Sequence, residues 1–492
     1  MSRFHVLLLM VFMGIMPILA GTGDVMVAVG DTTIMPLNEI IAKGLPVMFV
    51  ETVNQEEPTC DYVSAPPGCM GASITNATKV PGRLVIYQLM DGFDQVLYDS
   101  GDYEKNVGGM TIKLRGNTSA YQDKKPYKIK LQRKADLLLR GNDSIYKDKD
   151  WLLLKDDYLT TTVGLKVNEI VGMVWTPQHH FVNVVINGRY RGIYLLCESI
   201  KRNPDCRLDV DKSAGYIFEF DPYWWNEDLY VQSSYAPSYN YTFKYPDSED
   251  VLPEQLGYMQ SLVSRYEQSV KNGTYSDVID VASFARWCLV HDIMGTKDAG
   301  GANLYYSKYD TTASTPIVMP VAWDFDMALR TTSAWSNSHL DHMMQLIDSP
   351  NRAFVTEFAK VWHEIGTTLR RKMNDYMNDF CDSSQGRAMQ SSLEINKIVY
   401  GHGPSSVSEM VKEFSGWFNS RYFWLKSHIL PMNPLGDVNV SGDVDVADVT
   451  ALIAMVLGGA NIDSAPWAAD VNDDGLLNIA DVTALIQMVL DS

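Results

Sequence analysis

Two carboxylates stand at the end of one apolar run: Val318-Met-Pro-Val-Ala-Trp323 delivers Asp324 and Asp326, with Phe325 between them. Upstream, Asp298 and Asn303 lie five residues apart in Lys297-Asp-Ala-Gly-Gly-Ala-Asn303, just before the run Leu304-Tyr-Tyr-Ser-Lys308. An acid and an amide at this spacing, then two acids past a strand, can hold Mg²⁺ together with waters and phosphate oxygens. Phosphate also calls for cations. Lys113-Leu-Arg115-Gly-Asn117-Thr-Ser119 turns through Gly116, and the basic run Lys124-Lys125-Pro-Tyr-Lys128-Ile-Lys-Leu131 follows. Such a strand–turn–strand can aim backbone N–H and ammonium groups at phosphate oxygens. It also fits a polar hairpin with a solvated lysine face. Trp151-Leu-Leu-Leu-Lys-Asp-Asp157 is an apolar strand ending in charge. Asn187-Gly188 marks a hairpin turn, and its second strand ends at Glu198. An acid there is either paired with Lys or Arg, or exposed at an edge.

A second constellation is repeated. Asp437-Val-Asn-Val-Ser-Gly-Asp-Val-Asp-Val-Ala-Asp448 precedes Val-Thr-Ala-Leu-Ile-Ala-Met-Val-Leu457. Asp470-Val-Asn-Asp-Asp-Gly-Leu-Leu-Asn-Ile-Ala-Asp481 precedes Val-Thr-Ala-Leu-Ile-Gln-Met-Val-Leu490. Oxygen side chains fall at positions 1, 3, 5, 9 and 12 of each loop, with Gly at position 6, the EF-hand spacing for Ca²⁺. The ligand sets are Asp437, Asn439, Ser441, Asp445 and Asp448, and Asp470, Asn472, Asp474, Asn478 and Asp481. Backbone carbonyls of Asp443 and Leu476 stand at position 7. Ser441 is a neutral ligand, so the second loop is expected to bind calcium more tightly. The bland alternative is a pair of Asx-turns capping two helices without metal. The duplicated loop–helix unit resembles a type I dockerin, which implies calcium-dependent folding and docking onto a cohesin. Dockerins often carry hydroxyl residues at positions 10 and 11. Here these are Val446-Ala447 and Ile479-Ala480, which leaves an intramolecular dock or another receptor open.

The elements that must position the first constellation divide in two. Short β-like runs fill the N-terminal half: Leu84–Gln88, Thr111–Leu114, Tyr127–Leu131, Phe181–Ile186, Gly192–Cys197 and Tyr216–Phe220. Helical spacing marks Val281–Met294, Arg352–Phe380 and Ser405–His428. A sheet-rich half before a helix-rich half is an α+β order, and a cleft between them is a natural ligand site. Leu430-Pro-Met-Asn-Pro-Leu-Gly436 is the clear linker. The expected organisation is a signal peptide over 1–20, an N-terminal segment over 21–44, a large domain over 45–430, a linker over 431–436 and a small all-α calcium-binding domain over 437–492.

Composition sets outer limits. The 492 residues include 41 Lys+Arg against 60 Asp+Glu, a net charge of −19, and 46% are hydrophobic. That is ample material for packed cores and excludes a mainly disordered chain. The charge disfavours nucleic acid and anionic membrane surfaces. A basic start, the apolar run Val6–Ala20 and a small residue at its end read as a signal peptide, so a secreted, cell-surface or periplasmic protein is expected. No other stretch is long and apolar enough to span a membrane. Cys60/Cys69 and Cys197/Cys206 are each nine apart and could close disulfide loops in an oxidising compartment, the alternative being free, buried thiols. A monomer docking through its C-terminus is the simplest picture.

In order, the blocks of the large domain resemble the spore-coat CotH kinase family. The pieces are Arg115-Gly-Asn-Thr-Ser119 with Lys125-Pro-Tyr-Lys128, Asn187-Gly188…Gly192-Ile-Tyr…Glu198, Phe218-Glu-Phe-Asp221, Asp298…Asn303-Leu-Tyr-Tyr, and Trp323-Asp-Phe-Asp326. The resemblance implies an atypical protein-kinase-like fold that transfers phosphate from ATP, with Mg²⁺ or Mn²⁺, to Ser/Thr of a protein acceptor. By position, Asp298 would be the catalytic Asp, and Asn303, Asp324 and Asp326 would be metal ligands. Lys125 or Lys128 would contact phosphate. Arg115, Asn117 and Ser119 would line the nucleotide loop, and Glu198 would support the Lys or shape the nucleotide pocket. The competing function is a non-catalytic surface or assembly protein binding a protein or polysaccharide, with Tyr223-Trp-Trp225, Tyr230, Tyr235, Tyr239 and Tyr241 as stacking surfaces. A glycoside hydrolase has only the dockerin association behind it.

Overall fold

The computed structural model describes residues 21–75, 77–141, 144–234, 239–300, 303–336, 341–429, 432–458 and 466–491. The signal segment 1–20, Pro431 of the linker and Tyr235 lie outside them. In chain order the first half holds β1 (Met26–Val29), β2 (Thr33–Pro36), α1 (Leu37–Ile41), β3 (Val47–Thr52), β4 (Asp61–Ser64), β5 (Ala72–Thr75), β6 (Val80–Met90), β7 (Phe93–Asp99), β8 (Met110–Leu114), β9 (Tyr127–Ala135), β10 (Asp148–Leu154), α2 (Thr160–Val171), β11 (His179–Ile186) and β12 (Arg189–Glu198). The order β10-β9-β8-β6-β3-β11-β12 closes on itself, because Trp151–Leu154 of β10 also pair with Leu195–Glu198 of β12. The first half is therefore a β-barrel, a closure the α+β reading did not include. Closure leaves these strands no free edge.

Alternation fills both faces. Trp151 and Leu153 point into the barrel with Ile112, Ile129, Val184 and Leu196. Their neighbours Leu152 and Leu154 point outward into the core shared with the helices. The hairpin between β11 and β12 turns at Asn187 and Gly188, both at positive φ (51° and 68°), the geometry a two-residue turn needs. Segment 21–44 is part of the same body: β1 runs parallel to β12, and Leu37, Ile40 and Ile41 of α1 cover the sheet beside Val47 and Val85.

The second half carries β13 (Tyr216–Asp221), β14 (Tyr230–Gln232), β15 (Asn240–Tyr245), α3 (Pro253–Asn272), α4 (Val281–Met294), β16 (Leu304–Lys308), β17 (Ile317–Val318), α5 (Asp341–Ile347), α6 (Ala353–Asp382), α7 (Ser384–Tyr400) and α8 (Val407–Ile429). Its strands form a separate sheet in the order β14-β15-β13-β16-β17. α4, α6 and α8 fall where the apolar spacing placed them, whereas α3 and α7 were not marked by it. The last three, α9 (Val446–Val456), α10 (Pro466–Ala469) and α11 (Ile479–Asp491), close a small core around Val438, Leu452, Val482 and Leu485. No helix among the described residues is long and apolar enough to cross a membrane. The disulfide expectation is not met: Cys60, Cys69, Cys197 and Cys206 are free thiols. Cys197 is buried inside β12, while Cys206 lies in the loop beyond it.

Helix α2 ties the halves together. Asp156 caps it, accepting N–H bonds from Thr161 and Thr162 at 2.9 Å each. Asn168 donates to the carbonyl of Ala322 at 2.8 Å. At Gly164 the helix meets the ring of Phe325, and a Cβ built there would fall 2.3 Å from that ring. Gly164→Ala should therefore lower stability by about 2 kcal/mol through overpacking. Chemical denaturation checks this, and an unchanged midpoint would show that Phe325 has room to move.

Candidate functional site

Phe325 is fully buried, stacked on His291 at 5.4 Å between ring centroids. Its flanking residues are turned away from that core. Asp324 adopts a left-handed backbone, φ +62°, a conformation uncommon for residues other than Gly and tolerated best by Asn and Asp. The next turn is stitched to the end of α4: Leu329 N–H donates to Met294 O at 2.8 Å, and Lys297 N–H to Met327 O at 3.2 Å. These bonds bring Asp298 within electrostatic reach of Asp326. Asn303 is buried, and its Nδ2 donates to the Asp298 carbonyl at 2.8 Å. That bond uses the nitrogen and not the oxygen that would ligate a cation.

The three acids repel one another. Asp298 is exposed at the surface, yet desolvation and the charge of Asp326 push its carboxyl up to about 6. Asp324 is pushed up to about 7 by desolvation and then by Asp326, with Arg115 opposing and Asp298 adding. Arg115 follows β8 directly. With Ser119, Lys155, Thr161, Asp324 and Asp326 it lines a small pocket of about 50 Å³. Gly116, at φ +79°, lets Ser119 fold back, since a Cβ there would lie 2.2 Å from the Ser119 hydroxyl. Behind Arg115, Tyr305 stands opposite Glu219 in the β13–β16 register, and Glu219 forms an ion pair with Lys244 at 2.5 Å. A cleft of about 810 Å³ opens beside the pocket. It shares Lys155 and Asp326 with the pocket, and Tyr121, Tyr158, Arg330 and Tyr400 also line it.

Several residues singled out in the sequence lie elsewhere. Lys125 donates to Ala120 O at 2.8 Å and lines a different cavity. Lys128 pairs with Asp150 at 3.2 Å, in a cluster that also holds Lys201, Asp148 and Arg207. Glu198 is wholly buried, accepts from Gln178 N–H at 3.0 Å and pairs with Arg140 at 3.0 Å. It therefore supports no lysine of the acid site. Burial pushes its carboxyl up, against the pull of Arg140 and Arg207. Asn117 accepts from Ser73 at 3.1 Å. The cation missed is Lys155, at the end of β10 next to the Asp156 cap and hydrogen-bonded to Gln122. Its signal was the apolar strand Trp151–Leu154 ending in charge.

The aromatic residues are largely spent on packing. Tyr239 stacks on Phe220 at 4.9 Å, Trp224 lies 4.5 Å from Tyr230, and Tyr241 is buried with its hydroxyl on Glu267 at 3.2 Å.

The two repeated loops are built alike. Asp437 accepts from Ser441 and Gly442 N–H, both at 2.9 Å, and Asp470 accepts from Asp474 and Gly475 at 3.1 and 2.9 Å. Asp448 reaches back to Asn439 and Asp445 N–H at 2.9 Å each; Asp481 makes the same pair of bonds to Asn472 and Asn478 at 3.3 and 2.9 Å. Asp437, Asp448 and Asp481 are fully buried. Asn439 and Asn472 each accept from the N–H two residues on. Ser441 turns to the Asp443 carbonyl at 3.1 Å, whereas Asp474 accepts from Leu476 N–H at 2.9 Å. At position 9, Asp445 and Asn478 cap the following helices, accepting from Ala447 and Ala480 at 2.7 Å. Among the described residues no three His, Cys, Asp or Glu side chains form a metal-ready group, in these loops or at the acid site. The donor sets are all-oxygen and anionic, which suits hard cations.

The family model for CotH kinase protein matches residues 112–384, more than half of the chain, and the chain belongs to this family. Residues 435–490 match the dockerin type I domain, a class that typically binds calcium and suggests a cohesin partner. No curated protein matches the chain.

The raised carboxyls of Asp298 and Asp324 set a pH dependence. Unfolded, each ionises near its ordinary value of 3.8, whereas folded they keep protons to about 6 and about 7. Across that window the native chain holds more protons than the unfolded chain, so stability falls as pH rises. In metal-free buffer, Asp324→Asn should flatten this decline and raise the melting temperature at neutral pH. A parallel profile in wild type and variant would contradict the assignment.

Proposed function

We propose that the chain is an exported Mg²⁺- and ATP-dependent Ser/Thr protein kinase, tethered to a partner by a calcium-binding dockerin. The observation that carries this reading is the meeting of Asp324 and Asp326 with Arg115 and Lys155 in the small pocket beside the 810 Å³ cleft, with Asp298 in electrostatic reach of both acids. Magnesium is commonly held by one or two carboxylates plus phosphate oxygens and waters, so a compact three-acid cage is not required. Asp324 and Asp326 are the ligands in this reading, with Asn303 completing the set through its oxygen. Bound Mg²⁺ would neutralise charge on the transferring phosphoryl group.

The chain's own groups supply the rest. Arg115 and Lys155 take phosphate oxygens, replacing Lys125 and Lys128 in that role, and Ser119 lines the same pocket. Asp298, held near pH 6 by its surroundings, accepts the proton of the acceptor hydroxyl. The hydroxyl oxygen forms the new bond to phosphorus, the bridging P–O bond breaks, and ADP leaves. At the other end, the duplicated loops hold Ca²⁺. Val446 and Ile479, 68% and 67% exposed at equivalent positions, offer an apolar face to a cohesin-like protein. Export rests on the signal-like segment 1–20.

The test is a thermal-shift titration of the mature chain with Mg·ATP, beside Asp324→Asn and Lys155→Met, followed by transfer of labelled phosphate to a generic protein acceptor. Wild type should gain about 2.7 kcal/mol at a hundredfold excess over Kd. Both variants should lose most of the shift and at least tenfold in transfer. No shift and no transfer with either Mg²⁺ or Mn²⁺ would sink the kinase reading and leave a dockerin-borne assembly protein.

A further inference from the structure

The two calcium-type loops have nearly the same sequence but not the same surroundings. Each has glycine at position 6. A Cβ built on Gly475 of the second loop meets nothing within 4 Å. One built on Gly442 of the first loop lies 3.5 Å from Cζ of Arg352 and 3.7 Å from its Nε and Nη2. Arg352 belongs to the large domain, immediately before α6. Its Nη2 donates to the carbonyl of Met432 at 2.5 Å, so it also grips the linker. Met432 in turn packs on the core of the large domain and lines a cavity there with Trp335, Phe354 and Phe358. The Nε of Arg352 is buried without a hydrogen-bond partner.

The charges around this contact are unequal. The first loop contains Asp437, Asp443, Asp445 and Asp448. The Arg352 charge lies within electrostatic reach of Asp437 in that loop. Arg352 meets the loop at Gly442 and spends its hydrogen bond on Met432 O, and among the described residues it pairs with no loop acid, so the guanidinium acts as a nearby charge and not as a ligand. A fixed cation beside an acidic loop offsets the repulsion among its carboxylates and repels a divalent ion entering it. The second loop has no such neighbour at its glycine.

We propose that Arg352 is a built-in counter-ion for the first loop: it seats the dockerin on the large domain and weakens calcium binding there, and calcium in that loop loosens the seat. The second loop is then the one free of a counter-ion at its glycine, although Pro466–Ala469 just before it also lies against α6. This inference rests on the calcium reading given above.

Calorimetric calcium titration of the full mature chain tests it, fitted for two sites. In wild type the first site should be the weaker. Arg352→Gln should tighten that site roughly fivefold, the order expected for removing one charge near a divalent ion, and leave the second site unchanged. Arg352→Lys keeps the charge but cannot keep the guanidinium contact, so it should retain the wild-type separation of the two sites. Small-angle scattering should show the wild-type chain extending as the weaker site fills, and Arg352→Gln already extended without calcium. An unchanged or weakened first site in Arg352→Gln would overturn the proposal, as would equal tightening of both sites. Absence of calcium heat in every variant would overturn the calcium reading itself, and the proposal with it.

Discussion

The burial of Phe325 against Gly164 holds the site together. The ring needs a helix surface without a side chain, and α2 provides one. Asn168, one turn further along the same helix, fixes the segment leading in, which continues past the short β17, by binding the Ala322 carbonyl. With Phe325 locked in the core, Asp324 and Asp326 have only the outer face left to them. The left-handed backbone at Asp324 is the local cost of that arrangement. The helix itself depends on Asp156, so the residue beside the missed Lys155 also orders the element that anchors the acids.

The electrostatics follow from that anchoring. A chain of net charge −19 brings three carboxylates together, which is unfavourable unless cations stand near. Arg115 and Lys155 arrive from the ends of two barrel strands, β8 and β10, while the acids arrive from the helical half. The site therefore exists only where barrel and helical half meet. Other charged residues of the barrel are consumed within it: Lys128, Asp150, Lys201, Arg207 and Asp148 satisfy one another, as do Glu198 and Arg140. A buried ion network of this kind fixes orientation and leaves little charge for a ligand.

The C-terminal repeat shows a different economy. Asp448 and Asp481 each close their loop by binding two backbone N–H groups, so the loop shape is held by local bonds. Local bonds repeat faithfully when the sequence repeats. The contact with Arg352 does not, because it comes from a residue about ninety positions upstream that meets only one of the loops.

What the sequence by itself determined is what rests on short-range rules. Alternation marked the strands, apolar spacing marked α4, α6 and α8, and the Asn187-Gly188 pair marked the hairpin. Acid and amide spacing located Asp298, Asn303, Asp324 and Asp326, and the loop pattern located both repeats. Tertiary structure alone decided which basic residues face the acids. Lys125, Lys128 and Lys155 all lie at or near strands, and composition cannot tell them apart. Pairing of β9 with β10 sets Lys128 beside Asp150 and a local bond ties Lys125 to the Ala120 carbonyl, while the end of β10 places Lys155 beside Asp326. Pairing across the closed sheet and packing at Gly164 are long-range events, and no local pattern encodes which strand end will meet which loop.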